Sequence, residues 1–379
     1  MRMTHFFKRD VVRSARQQRG LSLVELLVAI AIGAVLIFGA TQAYVDSRNA
    51  YTVNESVSRM QETARYAMSV LEPDIRMANY WGLLKGAEPI TNKASKTDPA
   101  ATFAGGAATG CGNNYGVDLE NGIEGTDASY PSSATTCKPF NDNRMPTSDT
   151  ITVRRASRIP SANPTAIGPL RVCSTHTNGT LATSSTPPLC AAALTADVND
   201  PIALMSDLIV NLYYIDNDSN GAGTTGNNIP SLRRQWLNLA SNTFEDQEIV
   251  RNVEDLQVQF GVDRTGGFGS ARGAATQYLE AGTDLTNLLT STTKPAQIVS
   301  VRIWLLVRAD TPEVGFTDTR VYTYGSRTGS TNTGDLTAIG SKTKPYQPSL
   351  NSDNSPTGVK HYRRVLITRT IQLRNALGT

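Results

Sequence analysis

The chain has 379 residues, of which 39% are hydrophobic and 18% charged, and its net charge is +3. This length is enough for one large domain or two modest ones with a hydrophobic core. The charge is unevenly distributed, because residues 1–20 hold a net +5 and leave −2 for the remainder. Beyond residue 20 the chain therefore lacks the basic field that would indicate nucleic-acid binding.

A basic leader occupies residues 1–20, and an apolar run follows it directly. Leu21 to Ala40 cover 20 positions and contain one charged residue, Glu25. At about 1.5 Å per residue, a helix of this length spans roughly 30 Å, the thickness of a bilayer's hydrocarbon core. The positive-inside rule predicts that the leader stays cytoplasmic and that the chain after the helix is exported.

Glu25 is unusual inside a predicted transmembrane helix. A carboxylate at that depth costs about 2.5–3.5 kcal/mol on insertion scales, and such residues usually mark a pairing partner. An ordinary signal peptide cleaved before Tyr44 and an uncut signal anchor remain as alternatives. The apolar run is longer than the roughly 7–15 residues of a signal peptide, and Glu25 interrupts it.

The junction of leader and apolar run, Gly20 followed by LSLVE, resembles the class III signal of type IV prepilins and type II secretion pseudopilins. The resemblance implies that a prepilin peptidase cleaves between Gly20 and Leu21 and that the new α-amine of Leu21 is N-methylated. Leu21 departs from the family's usual first residue, Phe. Glu25 matches the family's glutamate, whose expected partner is the N-terminal amine of a neighbouring subunit.

The helix is predicted to continue beyond the membrane, so that it covers residues 21–80. Its second half carries an apolar stripe whose members are three or four residues apart and therefore share one face. Pro73 predicts a kink or a restart near the end. The stripe comprises Val57, Met60, Ala64, Ala67, Leu71, Ile75 and Ala78.

Four cysteines lie in the part predicted to be exported, where disulfides persist. Of the three possible connectivities we prefer sequential pairing, Cys111 with Cys137 and Cys173 with Cys190. These bridges would close segments with little apolar content, and each is worth about 3 kcal/mol in the chain-entropy model. A zinc site is not predicted, because no two cysteines are spaced closely enough to form the usual ligand pair.

From about Gly82 to Ser148 the periodicity is lost, and we predict a long loop region. Later runs alternate apolar and polar residues, which predicts strands with one buried face, and connections without helical pattern predict an antiparallel sheet. The expected fold class is α+β: a pilin-like roll in which a long N-terminal helix, transmembrane over 21–40, packs on this sheet. Residues 81–379 would form the globular domain. The strand-type runs fall at residues 151–153, 208–214, 256–262, 299–307 and 365–373.

Candidate chemistry is sparse. Asp216, Asp218 and Asn220 reproduce the opening of a calcium loop, but position 227, where the closing carboxylate should fall, is Asn227. A polar turn is the alternative interpretation, and we predict no cofactor. The exported part holds only His176 and His361, so no catalytic triad and no enzyme are predicted.

A basic run near the C-terminus is interpreted as the solvated face of a strand and not as a nucleic-acid-binding surface. It comprises Lys360, Arg363, Arg364, Arg369 and Arg374.

Four segments narrow the resemblance within the pilin group: MQETARYAMSVLEPDIRMANYWG, VEDLQVQFGVDR, VSVRIWLLVRAD and YRRVLITRTIQLRN. They resemble the PilW-type minor pilins and, less closely, the J component of type II secretion. The resemblance implies a structural protein of the inner membrane, with its C-terminal domain in the periplasm, that joins a pilus initiation or tip complex. Its implied partners are other minor pilins, the major pilin, the prepilin peptidase and the assembly platform. A type II secretion pseudopilin and a tip-exposed adhesive module are the alternatives.

Overall fold

The structure is a computed structural model, and it describes two compact units, one up to Glu55 and the other from Ser56 onward. Helix α1, Leu23–Arg76, crosses the boundary between them. It runs through Pro73 without the predicted restart and ends three residues later, where the lost backbone hydrogen bond affects only the last turn. The described residues are 20, 22–94, 111, 114–131, 137–160, 170–182, 203–219, 228–238, 241, 243–264, 273–289, 296–313, 315–327, 345–350 and 358–376.

The second unit contains, in its described part, twelve strands and a short helix α2. The strands are β1 Ile90–Thr91, β2 Ile123–Thr126, β3 Thr150–Pro160, β4 Arg171–Ser174, β5 Gly179–Ala182, β6 Leu204–Asp216, β7 Ser231–Asn238, β8 Thr243–Arg251, β9 Val253–Asp263, β10 Gln277–Glu280, β11 Gln297–Arg308 and β12 Arg364–Gln372, and α2 is Thr283–Leu289.

The strands form two sheets, where the sequence analysis expected one. The larger sheet has the order β1-β5-β4-β6-β3-β2, with β7 paired to β6 and β8 paired to β7. The smaller sheet has the order β10-β9-β11-β12. All strand pairs are antiparallel except β1 with β5. The fold is therefore α+β and pilin-like, as predicted, with one parallel pair added by two very short strands.

The main core lies between α1 and both sheets. The apolar stripe of α1 is buried as predicted, since Ala64, Ala67, Leu71 and Ile75 are all fully inaccessible to solvent. They pack in one cluster with the inward-facing residues of β3, β6, β9 and β11. Small residues on the helix let its backbone approach the sheets closely, and burial of this apolar area is the dominant stabilising term.

A second core contains residues from the region that was predicted to be a loop. Trp81, Leu84, Val117 and Leu119 are buried against β3, β4 and β6. Trp81 precedes the predicted loop region 82–148, and within the described part of that region the structure has only the short strands β1 and β2 and single turns, yet several of its side chains are buried. These buried residues lie in irregular backbone and are not regularly spaced along the chain. The sequence therefore shows neither helical nor strand periodicity at these positions.

Candidate functional site

The processing junction lies at the start of α1. Gly20 is exposed, and a Cβ added to it would have no heavy atom within 4 Å. Leu21 lies outside the described residues. The chain's own packing therefore gives no reason for glycine at position 20, and any need for a small residue there must come from another molecule.

Ser22 caps the first turn of α1. The backbone N–H of Glu25 donates to Ser22 Oγ at 3.1 Å, and the N–H of Leu26 donates to the Ser22 carbonyl at 3.1 Å. Ser followed three residues later by Glu is the capping-box spacing, which satisfies free N–H groups at a helix start. The sequence analysis did not assign a role to Ser22, although this spacing is visible in the LSLVE segment.

The Glu25 carboxylate is exposed in the first turn of α1, where the positive end of the helix dipole favours an anion. It makes no hydrogen bond or ion pair with any residue that the structure describes. The side chain is therefore available to a cation outside this chain.

The N-terminal half of α1 presents a continuous apolar surface around Glu25. Within the described chain, α1 is the one helix long and apolar enough to cross a membrane, and its most apolar stretch buries nothing. Such a surface is stable in lipid or against other apolar helices. Its exposed large side chains are Leu23, Val24, Leu26, Leu27, Val28, Ile30, Ile32, Val35, Leu36, Ile37 and Phe38.

Asp74 fixes the C-terminal end of α1 to the larger sheet. This carboxylate is only 5% exposed and accepts hydrogen bonds from Arg155 Nε at 2.7 Å, Asn211 Nδ2 at 2.8 Å and the Tyr213 hydroxyl at 2.9 Å. Charge-assisted bonds of this kind are stronger than neutral ones and demand defined geometry. The sequence analysis missed Asp74, because its partners are far away in the chain.

Arg364 corrects the interpretation of the basic run. Its guanidinium is fully buried and donates to both oxygens of Glu254, at 2.6 and 2.9 Å, and to Asp318 at 3.4 Å. These carboxylates raise the pKa of Arg364 further, against the opposing effect of burial. Arg369, five residues along β12, is exposed, as predicted for the whole run. Arg364 is therefore part of the core.

A disulfide joins Cys111 to Cys137, with the two Cα atoms 4.5 Å apart. Both cysteines are buried beside Tyr115, which confirms the first predicted bridge. Cys173 is buried in β4, and Cys190 lies outside the described residues. The second bridge thus stays a prediction.

Asp216, the first residue of the calcium-loop pattern, is the last residue of β6 and is completely buried. Neither of its carboxyl oxygens has a well-formed hydrogen bond to a described residue. Burial raises the pKa of Asp216 to about 6, and Arg233 and the nearby N–H of Asp218 offset only part of this shift. Asp218 is also buried, whereas Asn220 lies outside the described residues.

Catalytic constellations are missing from the part of the chain that the structure describes. No three His, Cys, Asp or Glu side chains there gather in a group that could hold a metal ion. His361 Nδ1 contacts the Phe316 carbonyl at 2.5 Å, which uses that nitrogen structurally.

Comparison with known proteins agrees with this geometry at both ends of the chain. Residues 15–41 match the prokaryotic N-terminal methylation motif, which together with the apolar helix defines a prepilin-type protein that is anchored in a membrane and incorporated in a pilus. Residues 212–375 match the family described as type IV pilus-assembly protein W. This match covers somewhat less than half of the chain and assigns that part to the PilW family, whose members are structural pilus proteins. No curated protein and no solved structure gave a significant match.

Proposed function

We propose that this chain is a minor pilin of the initiation or tip complex of a type IV pilus, and that it joins this complex through Glu25. One observation carries the proposal: Glu25 places an exposed carboxylate in the first turn of an otherwise apolar exposed helix. When such helices pack together, the carboxylate enters a medium of low dielectric and needs a positive partner. The α-amine of a neighbouring cleaved subunit has the required charge.

The same proposal assigns places to the rest of the chain. Residues 1–20 are a cytoplasmic leader removed by the prepilin peptidase between Gly20 and Leu21, and residues 21–40 span the inner membrane. Residues 81–379 form the periplasmic domain, to which helix α1 connects. The oxidised pair of Cys111 and Cys137 supports this location, since disulfides persist in the periplasm. Other minor pilins, the major pilin and the assembly platform are the proposed partners.

A deletion strain complemented with processing variants tests the proposal. We expect the strain to lose surface pili, and wild-type protein and Gly20→Ala to restore them. Gly20→Glu should leave an uncut precursor in the membrane, because the peptidase needs a small residue before the cut, and a Cβ at position 20 meets no atom of the fold that would cause misfolding instead. N-terminal sequencing of the membrane fraction reads out cleavage.

Two outcomes would overturn the proposal. Normal processing of Gly20→Glu to a Leu21 N-terminus would exclude the proposed cleavage. Loss of secreted enzymes with pili intact would instead identify a type II secretion pseudopilin.

A further inference from the structure

Asp216, the last residue of β6, is a buried acidic residue that takes no part in the proposed assembly through α1. The Asp216 side chain is completely buried, and both of its oxygens lack a hydrogen bond to any described residue. An ionised carboxylate taken out of water without a partner costs several kcal/mol, so native proteins pair such groups or give them a metal ion. Arg233 and the nearby N–H of Asp218 offset only part of this cost, so the described residues leave Asp216 incompletely compensated.

The residue opposite Asp216 in the sheet is also unsatisfied. Ser231, the first residue of β7, is the cross-strand partner of Asp216. Its Oγ is buried and, among the described residues, has no hydrogen-bond partner. Directly opposed residues of an antiparallel pair project from the same face of the sheet. Two unsatisfied oxygen-bearing side chains thus stand side by side where the β6–β7 hairpin opens.

The nearest guanidinium is already engaged elsewhere. Arg233 donates from Nε to Asp246 at 2.7 Å and from Nη1 to Glu248 at 3.3 Å, and it stacks on the Phe140 ring at 3.9 Å. It weakly favours the charged form of Asp216 but makes no hydrogen bond to it. Glu248 in turn accepts from Ser219 Oγ at 2.6 Å. Glu248 also pairs with Arg251 at 2.9 Å, so the two arginines serve Asp246 and Glu248, and neither donates a hydrogen bond to Asp216.

The Arg144 guanidinium is also bonded elsewhere. Its Nη1 donates to the carbonyls of Met145 and Pro146, at 3.1 and 3.3 Å. Its backbone pairs with that of Asp216 as an isolated bridge, which holds the covering segment in place. Arg144 therefore lies next to Asp216 in the backbone pairing but makes no hydrogen bond to its carboxylate.

We propose that Asp216 and Ser231, together with Asp218, bind a calcium ion that closes the β6–β7 hairpin. Asp218 follows two residues after Asp216 and is itself buried. Calcium takes six to eight oxygen ligands, including carboxylates, hydroxyls, backbone carbonyls and water, and tolerates irregular geometry. Magnesium demands a near-ideal octahedron and fits such a set less well.

The affinity should be low. Only two of the three side chains are carboxylates, and the described residues hold no cluster of three acidic or imidazole side chains. Sites of this kind in extracellular modules have dissociation constants of about 10⁻⁴–10⁻³ M. Millimolar calcium outside the cytoplasm would fill the site, and the hairpin would be stabilised only after export.

The test uses the full mature chain in detergent at neutral pH. Calorimetric titration with CaCl2 should show one ion per chain, and MgCl2 should bind at least about tenfold more weakly. Millimolar CaCl2 should raise the Tm of the domain by about 3 °C relative to EGTA. Absence of both effects in the wild-type protein would overturn the proposal.

Two variants and a matched control connect the effect to this site. Asp216→Asn keeps the shape but removes the charge, so it should abolish the calcium-dependent shift while its Tm in EGTA equals or exceeds that of the wild type. Ser231→Ala should weaken binding about tenfold. Glu245→Gln, an exposed change on β8, should leave the shift intact. An undiminished calcium shift in Asp216→Asn would place the ion elsewhere and refute the assignment.

Discussion

Glu25 and Asp74 are acidic residues of the same helix with opposite surroundings. Glu25 is exposed among apolar side chains, whereas Asp74 is buried with three hydrogen-bond donors around it. The sequence singles out Glu25, because one charge in an apolar run is a local anomaly. It could not single out Asp74, whose donors lie 81, 137 and 139 residues further along. Long-range polar contacts leave no trace in a local pattern.

Asp74→Ala should destabilise the domain by about 3 kcal/mol, since it leaves the Arg155 guanidinium and two neutral donors without their acceptor. Denaturant unfolding of the full chain in detergent measures the loss. Glu72→Ala is the matched control on the same helix turn, where Glu72 pairs with Arg76 near the surface. That change should cost about 0–1 kcal/mol. Equal losses in the two variants would contradict the anchoring role of Asp74.

At the scale of elements, the sequence predicted the helix and the strands whose apolar residues recur at regular spacing. The buried stripe of α1 and the strands β6, β9, β11 and β12 follow from spacings of 3.6 and 2 residues, and the structure confirms them. β8 escaped prediction because it is a polar edge strand without a fully buried face. The number of sheets was also beyond reach, since strand patterns specify faces and not neighbours.

Strand β12 allows a direct comparison of two arginines. Arg364→Met should destabilise the domain by about 3 kcal/mol, because the buried Glu254 would lose its two short hydrogen bonds and keep only the more distant Arg308, while Asp318 would keep Arg320. Arg369→Met, on the exposed part of the same strand, should change stability by at most about 0.5 kcal/mol. Thermal and denaturant unfolding of both variants give the comparison. A small loss for Arg364→Met would mean that water or rearrangement compensates the two carboxylates.

The Cys111–Cys137 bridge staples a segment of little regular structure. Replacing both cysteines by serine should cost about 3 kcal/mol for a separation of 26 residues. Mass mapping of the non-reduced protein should recover this link, and a Cys173–Cys190 link is expected beside it. Full alkylation of all four cysteines without reductant would refute both bridges, and a link between Cys111 and Cys173 would refute only the pairing.

At the scale of the whole molecule, the class of protein was predictable from the first 40 residues. In the proposed function, a peptidase recognises the leader and Gly20, and a neighbouring subunit pairs with Glu25, so these features are encoded in a short local sequence. The family match over residues 212–375 covers the second half of β6 and all strands after it. The calcium-loop pattern in the sequence included Asp216 but not Ser231. Ser231 lies beside Asp216 only because of the pairing register of β6 and β7.

Glu25→Gln tests how the whole molecule enters a fibre. The change removes the carboxylate's charge and keeps its shape, so membrane insertion and leader cleavage should be unimpaired or slightly easier. Assembly should nevertheless fall, because a neighbour's amine would sit in low dielectric without a counter-charge, a loss that can reach about 3–5 kcal/mol for a buried pair. Processed protein should then accumulate in the membrane, with fewer pili.

The measurement is the ratio of mature protein in sheared pili to mature protein in the inner membrane, together with pilus number. Glu62→Gln, an exposed glutamate further along α1, is the control and should match the wild type. A wild-type ratio and normal pilus numbers for Glu25→Gln would show that the carboxylate does not pair during assembly. A lowered ratio in Glu25→Gln alone would place the recruiting charge at Glu25, since both variants remove one exposed carboxylate from the same helix.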